Sequence, residues 1–570
     1  MKKSILASSI AAAVFGLGAS GAHALIQLDT TGIGDILLVP YFSAQTENAT
    51  LLSIVNTDTQ NGKAVKVRFR GAANSDDVLD FQVFLSPTDV FTANVAKGAD
   101  GRAVLTTTDK SCTKPNVITG TSFLTSRLNP ALTGDALNNG TREGYIEIIG
   151  MADIPPHNLS SGTASAFTGL LGTASTDSKV VAGTAKTTDN ALFFATKHVK
   201  GEAPPCSGKA WTDLDSAALG LTNTAAGTGP ALGLTPLTGG LMANWTIVNT
   251  VNAAAFGGEA IALSSDITHA NRVAGGGNLM ITYVPQTSVA VSTANAALWS
   301  ADPLFLNANT KTISYNPVAQ TLGSPIGTAA VVTPGQYDLP DLSTSFDRGA
   351  ISEANAAAQI TEITNALSAG KSVLAEYAVE SSISGSTDWV FSMPTRRYSI
   401  AMAYSKITAN DDGRRWNVNM NNATGLDTTP TLTNQFQAKN TSVVNGLICV
   451  TGANPKPYDR EEQTPSTTAV VVVSPATVAG SVKVCGESSV LSFNAGSGTS
   501  GAVKGSVSVT AIDVTYASGW ATMSVVAPNS SLGTVTGVVA ATSSNYPMAG
   551  GAFQRAAFGA QGFGVFRPFR

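Results

Sequence analysis

The chain predicts a mainly β protein: antiparallel β-sandwich-like domains with long Gly/Ser/Thr/Ala-rich loops and one short helix. Three observations carry this. Apolar and polar residues alternate at period two in several short runs, turn residues separate those runs, and small polar residues stand where charge is usual. Of 570 residues, 13% are charged and 43% hydrophobic, against roughly 25% charged in an ordinary soluble domain. That balance excludes a highly charged disordered chain and a coiled coil. A formal charge of −4 argues against nucleic acid as a partner.

Residues 1–24 read as a signal peptide. Lys2 and Lys3 precede the apolar run Ile5 to Leu17, and Ala22-His23-Ala24 forms an A-x-A cleavage site. Cleavage there starts the mature chain at Leu25. No second apolar run is long enough for a membrane helix.

Residues 25–200 form an N-terminal β region. Asp35 to Phe42, Ala49 to Val55, Val78 to Leu85 and Tyr145 to Ile149 are expected strands. Ala64-Val-Lys-Val-Arg-Phe-Arg70 alternates apolar and basic residues, as a strand with one wet face does, and Asn61-Gly62 before it is a hairpin turn signal. Residues 201–345 form a loop-rich middle region. Ser160 to Asp177 and Ala217 to Gly240 carry little apolar surface and read as loops or weak edges, with strands at Trp245 to Asn249 and Asn278 to Val284.

Residues 346–570 open with the one helical stretch, Ile351 to Leu367. Ile360, Ile363 and Leu367 share a face there, and Gly370 ends it. Trp389 to Phe391, Ala469 to Val473, Val482 to Val484, Gly505 to Tyr516 and Ala521 to Val526 are expected strands.

Four cysteines remain after cleavage: Cys112, Cys206, Cys449 and Cys485. An even count in an exported chain predicts disulfides, and three pairings are open. Joining neighbours, Cys112 with Cys206 and Cys449 with Cys485, closes the shorter loops and is the pairing expected. A zinc site needs close pairs such as C-x-x-C, which are absent.

Chemistry is sparse. There is no H-E-x-x-H and no phosphate-binding loop, and His157, His198 and His269 stand apart from one another and from cysteine. Glu376 and Glu380 lie four apart near a strand end and read as solvated. Asp213, Asp215, Asp411 and Asp412 offer weak oxygen ligands for Ca²⁺, but outside the EF-hand pattern, so turns are the simpler reading. No catalytic residue and no resident cofactor is expected beyond that Ca²⁺ option.

Residues 553–570 differ from the rest. Phe553, Phe558, Phe563, Phe566 and Phe569 alternate with Arg555, Arg567 and Arg570, without an acid. One reading is a final core strand. The other is an assembly or anchoring element, separable from the body, that docks on a neighbouring copy or on envelope lipid. Under it, Phe553, Phe558, Phe563, Phe566, Arg567, Phe569 and Arg570 are the assembly residues.

Two stretches carry a resemblance. Gly34-Asp-Ile-Leu-Leu-Val-Pro-Tyr-Phe-Ser-Ala-Gln45, with Val65 to Phe69 and Val78 to Val90, resembles the opening of a family of exported proteobacterial cell-surface proteins. Thr387-Asp-Trp-Val-Phe-Ser-Met-Pro-Thr-Arg-Arg-Tyr398 is similar to that family's second motif. Some members are described as surface-layer proteins, and the family supplies no catalytic residues. The resemblance implies a core shared between the two ends, with the middle inserted. It also implies an exported structural protein that self-assembles on the outer membrane, its partners being its own copies and the outer membrane's lipids or proteins. A surface adhesin or glycan-binding module is the alternative, and a secreted hydrolase a weaker one.

Overall fold

The computed structural model describes residues 26–116, 118–157, 189–216, 228–251, 253–265, 280–286, 340–346, 353–368, 370, 372–402, 415–417, 436, 441–453, 455–459, 481–493, 499–512, 514, 516–526, 545–558 and 561–569. The leader, His269, Asp411, Asp412, Ala469 to Val473 and Arg570 lie outside these residues.

The N-terminal strands are β1 (Ile26–Leu28), β2 (Ile36–Ser43), β3 (Asn48–Asn56), β4 (Gly62–Gly71), β5 (Asp77–Leu85), β6 (Val90–Lys97) and β7 (Ala103–Thr106). Next come β8 (Cys112–Lys114), β9 (Thr121–Ser122), β10 (Glu143–Ile154), β11 (Leu241–Asn249), β12 (Ala254–Glu259) and β13 (Ile261–Ser265). They form a seven-stranded sheet, β1-β13-β2-β10-β4-β5-β8, and a six-stranded sheet, β12-β11-β3-β6-β7-β9. Alternation along each strand turns one apolar row inward, so Val39, Val67, Phe69 and Ile146 meet Ile54, Phe91, Trp245 and Ile247 in one core.

The C-terminal strands are β14 (Ser372–Ala378), β15 (Ser386–Ser392), β16 (Ile400–Met402), β17 (Arg415–Asn417), β18 (Thr441–Val444), β19 (Leu447–Ala453) and β20 (Lys456–Tyr458). They are followed by β21 (Ser481–Cys485), β22 (Ser488–Ser492), β23 (Val509–Ala511), β24 (Ser518–Ser524), β25 (Ala549–Phe558) and β26 (Gln561–Pro568). The principal sheet is β23-β22-β15-β25-β26, beside β14-β24-β20, β18-β19-β21 and the pair β16-β17. Val390, Val490, Val503 and Phe553 enter the same core as the N-terminal sheets. A second core gathers Trp389, Phe391, Leu491 and Phe493 with Tyr377, Val450 and Val484.

The helix occupies Glu353–Leu367 and buries Ile360, Ile363 and Leu367 as its spacing predicts. Among the described residues, four shorter helices accompany it at Gly134–Asn139, Ala191–Thr196, Lys209–Asp213 and Thr228–Ala231. Both expected disulfides are present: Cys112–Cys206 spans 94 residues, and Cys449–Cys485 spans 36 between directly opposed positions of β19 and β21.

Several local expectations are corrected. Asn61-Gly62 makes no hairpin, because β3 and β4 belong to different sheets; the Asp58 carboxylate accepts the backbone N–H of Gln60 and Asn61 and shapes a crossover instead. In the middle region the expected strand Trp245 to Asn249 is present within β11, and β12 and β13, which were not expected, join it in completing the two N-terminal sheets. The expected strand at Asn278 to Val284 joins no ladder over its described part, 280–284. There the β10–β4 register shifts between Gly150 and Ala152, and the Met151 carbonyl accepts the Thr282 N–H at 3.0 Å. Strand structure in Gly505 to Tyr516 shrinks to Val509–Ala511, because the preceding loop wraps two buried carboxylates.

Candidate functional site

The alternating basic residues of β4 do not face water. Lys66, Arg68 and Arg70 are buried, because acids of the adjoining strands β5 and β10 pair with them and later segments close over the Glu147 end of that face. Arg68 Nη1 lies 3.2 Å from Asp77 Oδ2, and Arg70 Nε lies 3.4 Å from Glu147 Oε2. Lys66 Nζ lies 2.7 Å from Asp80. Arg396 and Arg397, on the turn after β15, come from the far side of the sequence. Arg396 Nε is 2.7 Å from Glu487 Oε2, and its Nη1 donates to the carbonyls of Ile448 and Gly486, each at 2.7 Å. Arg397 reaches both Glu147 and Asp341 at 4.0 Å. Burial pushes the Glu487 carboxyl above its usual range, with Arg396 and Arg397 opposing. Charge held away from water needs such matching, since an unpaired buried ion costs several kcal/mol. Chemically, this layer fixes the packing of distant segments.

Two further buried carboxylates hold the loop before β23. Asp388 of β15 accepts the N–H groups of Ala502 at 2.7 Å and Val503 at 2.8 Å. Glu143 of β10 accepts from Tyr41 Oη, from the Ser506 N–H at 2.9 Å and from the Val507 N–H. Burial raises both carboxyls above their ordinary values against these hydrogen bonds. Burial and the neighbouring Glu143 raise the Tyr41 phenol.

The tail residues divide. β25 and β26 form a hairpin whose Phe553 is fully buried, touching Tyr41, Trp245, Phe256 and Phe566. Phe569 lies 4.7 Å from Phe391 and 5.7 Å from Trp389 between ring centroids. A tail separable from the body is therefore corrected: Phe553, Phe566 and Phe569 are part of the framework, since β25 is laddered to β15 along seven residues, Ser386 to Ser392. Phe558 and Phe563, by contrast, are 58% and 55% exposed. Arg567 meets Glu376 at 3.5 Å with both side chains more than half exposed.

The outer face of the six-stranded sheet is open and nearly uncharged. Register sets Glu259, Asn244, Ser53 and Thr92 in one row, then Gly257, Thr246, Leu51, Asn94 and Thr106. A third row is Ala255, Val248, Ala49, Ala96, Val104 and Ser122. Across the first two rows runs a shallow groove of about 530 Å³, continued by Thr107, Thr108 and Thr119. Of these strands, β3 and β11 were expected from the sequence and β6, β7, β9 and β12 were not; the side-by-side register was not legible, because it joins segments far apart in the chain.

The remaining candidates are scattered. Asp213 pairs with Lys209 and Asp215 with Lys114, at 2.7 and 2.6 Å, so each carboxylate already faces an ammonium group. No group of three or more His, Cys, Asp or Glu suited to a metal occurs among the described residues. His157 and His198 sit beside Asp189 and Asp89. Glu376 is largely exposed on β14. Among the described residues, no helix is long and apolar enough to cross a membrane. No family model, no curated protein and no solved structure matches this chain.

Proposed function

We propose that this chain is an exported structural protein of the cell surface, whose copies pack side by side into a layer. The observation that supports it best is the outer face of the six-stranded sheet, whose rows are uncharged apart from Glu259 at one rim, with the Asp109 carboxylate bonded to Thr92 beside them. Such a face loses little by giving up water, because Ala, Val and Thr need no counter-charge when covered. Two disulfides suit the oxidising compartment of an exported chain, and the family resemblance points the same way. Imaging the native protein released from the envelope tests the reading. A regular array supports it, whereas isolated monomers at every concentration tested reject it.

A second reading takes the groove as a binding site for a neutral glycan. Its lining hydroxyls and amides, from Ser53, Thr92, Asn94, Thr106, Asn244 and Thr246, match sugar hydroxyls, and its lining carries no charge. Binding of an uncharged polysaccharide that is lost in Asn244→Leu supports it; no binding across a panel of neutral glycans rejects it.

A further inference from the structure

Strand β26 forms one edge of the five-stranded sheet. It pairs with β25 in unbroken register from Phe558↔Gln561 to Gly551↔Pro568, and no strand is laddered to its other side among the described residues. Natural sheets blunt such an edge with a central charge, a proline or a bulge. Here the one charge, Arg567, and Pro568 lie at the very end, while Phe563 and Val565 stand 55% and 42% exposed in the middle. The strand is firmly seated: β12 lies so close beneath it that a side chain on Gly564 would strike the Ala255 carbonyl. An apolar, regular, rigidly held edge is a template for another strand.

We propose that β26 pairs antiparallel with β26 of a second copy, about a twofold axis through Gly564, so that the two five-stranded sheets run on as one. The sequence of the strand is self-complementary in this register. Phe563 stands opposite the partner's Val565, and Val565 opposite the partner's Phe563, so each exposed apolar pair covers the other. Arg567 stands opposite the partner's Gln561, which keeps the two arginines about 20 Å apart at the strand rise of roughly 3.3 Å per residue. Moving the register two residues toward the C-terminus would place Pro568, which has no N–H, in the new ladder. The contact is isologous, the commonest form of self-association. It rests on the proposed side-by-side packing and names one of its contacts.

The test uses the full mature chain. Wild type should sediment as a concentration-dependent dimer. The double variant Phe563→Lys/Val565→Lys, which sets lysine against lysine twice, should sediment as a monomer with an unchanged melting temperature. A Phe563→Cys/Val565→Cys variant should form intermolecular disulfides that peptide mapping assigns to 563–565. A monomeric wild type, a lysine variant that dimerises like wild type, or cross-links at other positions would each overturn the pairing. Imaging separates the two ideas: arrays formed equally by the lysine variant leave the layer and remove this contact, while a lysine-sensitive dimer that never forms arrays leaves the contact and removes the layer.

Discussion

Trp245 of β11 and Phe566 of β26 meet edge to face with ring centroids 4.9 Å apart, and both rings touch Phe553. Three aromatic side chains, one from the middle of the sequence and two from its end, thus lock the terminal hairpin to the six-stranded sheet. Replacing Phe553 by Ala should destabilise the fold by about 3–5 kcal/mol, while Phe553→Leu should cost less than about 1.5 kcal/mol. Deleting residues 553–570 should abolish cooperative unfolding altogether, as followed by circular dichroism. A truncated chain that melts like the intact one would show the hairpin to be dispensable.

Arg396 is held by the Glu487 carboxylate and two carbonyl oxygens. Arg396→Ala should lose about 3–5 kcal/mol, because Glu487 is left buried without its partner. Arg396→Lys should recover little, since an ammonium cannot reproduce the guanidinium fork. The double change Arg396→Met/Glu487→Leu should be milder than the sum of its single changes. Urea unfolding of the four-protein cycle reads the coupling directly, and strict additivity would contradict it.

Acid should stabilise this protein. Burial raises the carboxyls of Glu143, Asp153, Asp388 and Glu487 in the folded state. The folded chain therefore holds more protons than the unfolded chain, whose carboxyls titrate near pH 4. Their stabilising contribution is complete below that range and is lost as pH rises through the folded values. At Asp58 burial also pushes upward, but Lys63 and the N–H groups of Gln60 and Asn61 win, so its value is lowered and its contribution is lost only on stronger acidification. The melting temperature should accordingly rise from pH 7.5 to pH 5, and Asp388→Asn should flatten that slope. A steady fall over the same interval would refute the assignment.

The two disulfides should contribute unequally. Loop entropy assigns about 4–5 kcal/mol to Cys112–Cys206 and about 3–4 kcal/mol to Cys449–Cys485, whose spans are 94 and 36 residues. Paired Ala substitutions at Cys112 and Cys206 should thus lower the urea midpoint more than those at Cys449 and Cys485. The reverse order would show that native-state contacts outweigh the chain entropy.

What the sequence reveals depends on how local the cause is. Period two in Lys66-Val-Arg-Phe-Arg70 shows which side chains share a face, and β4 follows it. The same pattern says nothing of what covers that face, and the covering groups, Arg397 and Glu487, lie hundreds of residues onward. The neighbouring cysteines pair as their spacing suggests. In the tail, composition exposes an oddity without resolving it: glycines at 550, 551, 562 and 564 weaken the strand signal, so the division into buried Phe553 and exposed Phe563 emerges only from the hairpin. The outer face of the six-stranded sheet was wholly invisible, because its rows are made by register between β3, β6 and β11.

The carboxylate-held loop has a consequence for the order of events during synthesis. Asn48 donates to the Val503 carbonyl across a separation of 455 residues, and Phe553 reaches Tyr41 from still farther along. An N-terminal segment emerging alone carries its own ion pairs, Lys66 with Asp80, Arg68 with Asp77 and Arg70 with Glu147, but presents them and its apolar strands without the groups that close over them. Final closure must then await delivery of nearly the whole polypeptide, and such remote pairings are slow to find. Until that moment the chain stays open enough to be threaded, and vulnerable enough to need an escort.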